Sequence, residues 1–173
     1  GLALFYGGLV RAKNMLNVLV QCFAAAAVIG VLWIVVGYSL AFSGSSPFFG
    51  DLSNMMLKNV TIDSVTANFA SPPRNIPDYL FVMFQGMFAI ITVALVSGAF
   101  AERVKFGPYL LFCLLWTTIV YDPLAHMVWS FDWSPASKVT VPLTDGATQI
   151  FPAAGLLGVN GAIDFAGGTV VHI

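Results

Sequence analysis

The sequence predicts an all-α protein, a polytopic bundle of transmembrane helices, and three observations carry that expectation. The run from Met15 to Phe42 holds no charged residue and exceeds the roughly 20 residues a helix needs to cross a bilayer core of about 30 Å. Hydrophobic residues make up 58% of the chain and charged ones 9%, too little polar surface to solvate a globule of 173 residues. Apolar runs then recur, from about Tyr79 to Ala101 without a charge and from near Phe106 to about Trp129, the latter interrupted at Asp122. The competing reading of the first run, a helix fully buried in a large soluble domain, is disfavoured by its length.

In chain order, a short apolar opening from Gly1 to Val10 leads into the basic hinge Arg11-Ala12-Lys13-Asn14, and the first complete span follows. The connection 43 to 78 carries two loop signals, Ser43-Gly44-Ser45-Ser46-Pro47 and Ser71-Pro72-Pro73. The second span ends in Glu102-Arg103-Val104-Lys105. The third is interrupted at Asp122-Pro123, where proline removes a backbone donor and predicts a kink. After a second long connection, 130 to 163, a last apolar stretch begins beyond Asp164 as the start of another helix. Both ends read as cut: Gly1 opens directly into an apolar run and Ile173 stops within one. Arg11 and Lys13 follow the first apolar stretch, which argues against a signal peptide. No internal repeat or low-complexity tract is visible.

Orientation follows from the basic residues in short connections. Arg11, Lys13, Arg103 and Lys105 sit close to span ends on connections separated by an even number of crossings, so the positive-inside bias makes that face cytoplasmic. Lys58, Arg74 and Lys138 then fall outside, in the two long connections that also carry Asp51, Asp63, Asp78, Asp132 and Asp145. A net charge of −1 without a basic stripe gives no footprint for nucleic acid. Cys22 and Cys113 lie inside apolar runs and read as small packed hydrophobes, not as a disulfide or metal site. No cofactor is expected.

Polar groups at membrane depth are costly, so each needs a reason. The candidates are Gln21, Gln85, Asp122, His126, Asp164 and His172. His172, flanked by Val170, Val171 and Ile173, is expected to lie buried and mainly neutral. Such a ring can relay a proton, hold a small hydrogen-bonding solute, or simply bond a neighbouring backbone group. Asp164 precedes the last apolar stretch and suits an N-cap first, with a secondary electrostatic pull on cations. Phe84 and Phe88 stand four residues apart and share a helix face with Gln85 beside them. Aromatic faces attract cations, although phenylalanines at this spacing commonly just pack. Trp129 closes the third span where an interfacial anchor is ordinary. Gly86 and Gly98 read as points of close helix packing. No paired nucleophile and base suggests an enzyme.

Five segments together resemble the ammonium transporter family, which includes the Rh proteins: 3–11 (ALFYGGLVR), 84–88 (FQGMF), 101–103 (AER), 123–129 (PLAHMVW) and 164–172 (DFAGGTVVH). The resemblance implies an eleven-helix protein assembled as a homotrimer, each subunit enclosing a narrow pore between two inverted five-helix repeats. This chain, 1–173, matches the first repeat, a partial domain. The resemblance also implies roles. Phe88 corresponds to the outer gate with Phe84 close by, Trp129 to an aromatic wall of the external cation site, Asp164 to the acidic residue near that site, and His172 to the first of two pore histidines. His126 is read as structural, and Asp122 has no assigned role. The second pore histidine, a second gating phenylalanine and a serine of the outer site belong to the other repeat. The connection 130 to 163 is longer than the resemblance leads one to expect.

On this resemblance the function is ammonium transport across a plasma membrane. Aromatic faces recruit the cation, it loses water and a proton, and neutral ammonia crosses an apolar passage. The partners implied are ammonium or ammonia, the lipid bilayer, other copies in a trimer and a PII-type signalling protein on the cytoplasmic face. Two further functions stay open: an ammonium sensor with the same fold linked to a signalling domain, and a gas channel of the Rh type that conducts without current.

Overall fold

The structure, a computed structural model, describes residues 1–44, 46–67, 75–130, 138–142, 148–152, 155–162, 164 and 166–172. Its framework is a short helix α1 (Leu2–Leu9) followed by three helices long and apolar enough to cross a membrane: α2 (Ala12–Phe42), α3 (Asp78–Phe100) and α4 (Phe106–Trp129). A one-turn helix α5 (Leu156–Val159) lies after them. Each long helix begins and ends within a few residues of the predicted limits, because charged or turn-forming residues flank every run.

The helices are held by small-residue contacts and by self-satisfied hydroxyls. Thr92, Thr117 and Thr118 each donate to the carbonyl four residues back, at 2.6, 2.8 and 2.7 Å, so these three hydroxyls are satisfied within their own helices. A Cβ at Gly98 would stand 2.8 Å from the ring of Tyr6, whose hydroxyl donates to the Leu95 carbonyl at 3.0 Å. That contact docks α1 on α3. Ala25, Ile29, Trp33, Ala89, Val93, Tyr109, Cys113 and Tyr121 form the centre of the core where α2, α3 and α4 meet. Both cysteines are buried and unpaired, in keeping with their reading as packed hydrophobes.

The predicted interruption at Asp122-Pro123 takes another form. The helix continues through the proline, and a π-helical turn at Thr117–Tyr121 just upstream absorbs the missing donor, with the Asp122 N–H donating to the Thr117 carbonyl. An equivalent turn, Trp33–Gly37, lies in α2. Neither could be placed from hydropathy, which is insensitive to a one-residue change of helical pitch.

The expected start of a last helix also differs. Residues 166–171 form successive turns without a regular helix among the described residues, and Gly167 alone carries two returns, from the Val171 and His172 N–H groups at 2.9 and 3.1 Å. The long connections hold two antiparallel ribbons unforeseen in an all-α reading: β1 (Val65–Ala67) with β2 (Asn75–Pro77), and β3 (Lys138–Pro142) with β4 (Thr148–Pro152). Arg74 and the acidic residues Asp132 and Asp145 lie outside the described residues.

At one end of the bundle the two basic connections meet. Glu102, at a left-handed φ of 65°, receives Arg11 Nε at 3.1 and 3.2 Å, the Arg11 backbone N–H at 3.0 Å and the Asn14 amide at 2.7 Å. The Arg11 guanidinium adds an ion pair at 3.0 Å. Arg11 and Asn14 thereby hold the Glu102 carboxyl at about 2, below its ordinary 4.5. A depressed carboxyl contributes stability that is complete above its unfolded value and lost as pH falls through its folded one. We therefore expect the difference in melting temperature between wild type and Glu102→Gln to be present above pH 4.5 and to vanish as the pH approaches about 2. Being exposed, it should also shrink in high salt. A difference independent of pH would refute this account of the contact.

Candidate functional site: an aromatic cluster tied to Asp164

The opposite end of the bundle carries the sequence-predicted site residues. Phe84 and Phe88 sit one helical turn apart on α3 and their rings meet edge to face, centroids 5.0 Å apart at 83°. Phe88 then meets Trp129, at the end of α4, at 6.1 Å and 66°. Two helices thus supply one continuous aromatic surface. Phe84 is exposed, whereas Phe88 and Trp129 are half-buried.

Asp164 joins this surface to the last segment. One carboxylate oxygen accepts the Trp129 indole N–H at 2.7 Å and the other accepts the Thr169 backbone N–H at 2.6 Å. The sequence suggests a helix N-cap at this position; the Thr169 N–H it accepts lies five residues on, in a run of turns. The indole bond was not foreseen, since nothing local to either residue signals a partner 35 positions away. It fixes the rotation of the Trp129 ring, and so the face presented beside Phe88.

Val170 and Val171 are buried, but the His172 imidazole itself is exposed on the open side of the described chain. The turns over 166–171 alternate differently from the helix assumed for this stretch, which directs the two valines inward and the ring outward. The structure does not bring His172 into contact with the aromatic cluster.

Residues behind the cluster hold it in place. Trp33 is buried, donates its indole N–H to the Val82 carbonyl at 3.0 Å, and leaves no space at Gly86, where a Cβ would stand 2.8 Å from its ring. Gly86 therefore has the close-packing role read from the sequence. In the sequence, a tryptophan within an apolar span carries no mark that would single out Trp33. His126 is fully buried, with Nδ1 3.0 Å from the Ala41 carbonyl oxygen and Nε2 2.7 Å from that of Ser46. The ring clamps the end of α2 and its following loop to α4, which agrees with its structural reading. Gln85 is half-buried with its Oε1 unpartnered, and Gln21 is buried with its Nε2 unpartnered.

Three membrane-length helices with an aromatic surface at one end, pinned by a carboxylate, define a polytopic helical membrane protein. The family model of the Ammonium Transporter Family matches residues 1–173. The chain belongs to the ammonium transporter family, a family of transporters and not of enzymes. Its relatives include the ammonium transporter of Bacillus subtilis strain 168, 41% identical over 173 residues, covering all of this chain and 36% of that protein. The ammonium transporter of Aquifex aeolicus is 40% identical over 175 residues, covering all of this chain and 34% of the relative. Among solved structures, the N240A mutant of Candida albicans Mep2 matches with a TM-score of 0.72 at 34% identity, over 98% of this chain and 31% of that one. The chain thus spans about a third of the length of the proteins it matches.

Proposed function

We propose that the protein containing this chain moves ammonium across the plasma membrane, recruiting the cation at the Phe84, Phe88 and Trp129 surface and passing it as ammonia. The observation that carries this reading is the Phe88–Trp129 pair with its indole held by Asp164. A small cation gains from ring faces, and gains more where water is partly excluded. The aromatic cluster lies at the end of α3 and α4 remote from the Arg11–Glu102 contact. With the basic end cytoplasmic, recruitment takes place outside.

His172 is the proposed pore histidine, on the open surface where the remaining length of a full family member would pack. An imidazole there can exchange a hydrogen-bond proton with a neutral solute. Exposed apolar residues such as Leu4, Phe23, Val31 and Leu111 suit contact with lipid or with other copies, in line with a homotrimer. The short loops bearing Arg103 and Lys105 are the proposed docking face for a PII-type protein.

The test uses the complete gene product in liposomes. Trp129→Ala should raise the ammonium concentration for half-maximal uptake roughly 5- to 30-fold, the range for losing a partly desolvated cation–π contact. His172→Ala should leave recruitment intact and change the flux or its proton coupling. Wild-type uptake and currents in both variants would remove these residues from the mechanism.

A further inference from the structure

Asp122 is used by nothing described so far. It lies in the membrane-spanning α4 directly after the π-helical turn Thr117–Tyr121, is 0% exposed, and neither carboxyl oxygen has a hydrogen-bond partner. Both oxygens face Gly37, which ends the matching π-helical turn of α2, and a Cβ there would stand 3.4 Å from each. The carboxyl group therefore sits in the seam between the first and third spans, at the one level where both helices change pitch. π-Helical turns recur at functional positions, and an ionisable side chain at membrane depth needs a partner.

The groups around it narrow what that partner is. Tyr121 precedes it, buried and with its own hydroxyl unpartnered. Tyr38, beside Gly37 on α2, and His126, one turn further along α4, are further titratable side chains on the two helices. The His126 ring is occupied by the Ala41 and Ser46 carbonyls. The Arg11–Glu102 ion pair lies at the far end of the bundle, and no donor stands within hydrogen-bond distance of either Asp122 oxygen. Each carboxyl oxygen has under 1 Å² of accessible surface, so neither water nor a hydrated or bare metal or ammonium ion touches it. Nothing packed later on the outside of these helices could touch it either. A naked carboxylate in such a place costs far more than a neutral acid. The proton is the one cation that needs no added volume.

We propose that Asp122 is a proton-binding site inside the membrane, holding the neutral carboxylic acid at physiological pH in the seam of α4 and α2 opposite Gly37. Loss of the proton would place an unpaired charge in the seam and part the two helices. Trp129 lies seven residues, about two turns, further along α4. The site therefore stands behind the aromatic cluster and links its support to protonation.

The test is infrared spectroscopy of the complete gene product in lipid bilayers, with aspartate labelled at its carboxyl carbon. At pH near 7 the labelled wild type should show the carbonyl stretch of a protonated aspartic acid, separate from the carboxylate bands. D122N should lose that band and keep wild-type ammonium uptake, since an amide is neutral and nearly the same shape. Should D122N fail to fold, D122E with labelled glutamate should show the band as glutamic acid. No protonated band in wild type, or one that persists unchanged in D122N, overturns the proposal. So does D122N that folds with the band gone but loses uptake, because a neutral replacement would then not suffice. The infrared result does not depend on the transported solute.

Discussion

Asp164→Ala should reduce ammonium uptake by the complete protein more than Trp129→Phe does, and should lower the melting temperature as well. The alanine removes both acceptors at once, leaving the Trp129 indole N–H and the Thr169 backbone N–H without partners. Hydrogen bonds to a charged acceptor are worth about 1.5–3 kcal/mol each, so the combined loss is on the order of 3–5 kcal/mol at a half-buried position. The indole, freed to rotate, no longer presents a fixed face beside Phe88. Asp164→Asn should fall between wild type and alanine. An amide has one accepting oxygen, and its NH₂ would oppose whichever donor remains. Trp129→Phe keeps a ring next to Phe88 and loses only the indole bond. The measurement is uptake in liposomes alongside thermal unfolding of each variant. Equal uptake in wild type and Asp164→Ala would show that orientation of the indole is immaterial.

His126→Ala should produce the largest loss of stability in the chain, with little effect on uptake per folded molecule. The ring is wholly enclosed and both nitrogens face main-chain carbonyls, one at the end of α2 and one in the loop after it. Its removal leaves a cavity and at least one carbonyl that had accepted an N–H, a combined cost of about 3–5 kcal/mol. Gly155 makes the site less able to collapse, because its backbone already lies against the His126 and Met127 carbonyls with no space for a Cβ. His126→Gln should recover part of the loss, since its amide N–H can still donate to one carbonyl. The check is melting temperature and elution as a single species in detergent. A variant that melts like wild type would mean that the loop needs no clamp.

The helical framework was legible because it is written in local composition. The run from Met15 to Phe42 cannot be solvated, and Arg11 with Lys13 at one end and Ser43-Gly44 at the other cannot continue into lipid, so the span is bounded by chemistry on both sides. The same holds for α3 and α4. Family membership was legible in the five segments, and Phe84 and Phe88 could be paired from a spacing of four residues alone.

What depended on contacts far apart in the chain was not legible. Pro123 signalled a break, yet the helix absorbed it in a π-helical turn, because neighbouring helices hold both ends in line. Trp33 gained its place only through Gly86, more than fifty positions later, where a missing side chain makes room for an indole.

The amino-acid order by itself determined that the chain spans a membrane, roughly where, and to which transporter family it belongs, since transfer of apolar side chains from water depends on what they are and little on what they touch. Tertiary structure alone decided that Trp129 turns on Asp164, that His126 is a clamp, and that Asp122 sits sealed against Gly37. Hydrogen bonds and close contacts are directional and short-ranged, so they come into being only when distant segments are brought to within a few ångströms of one another.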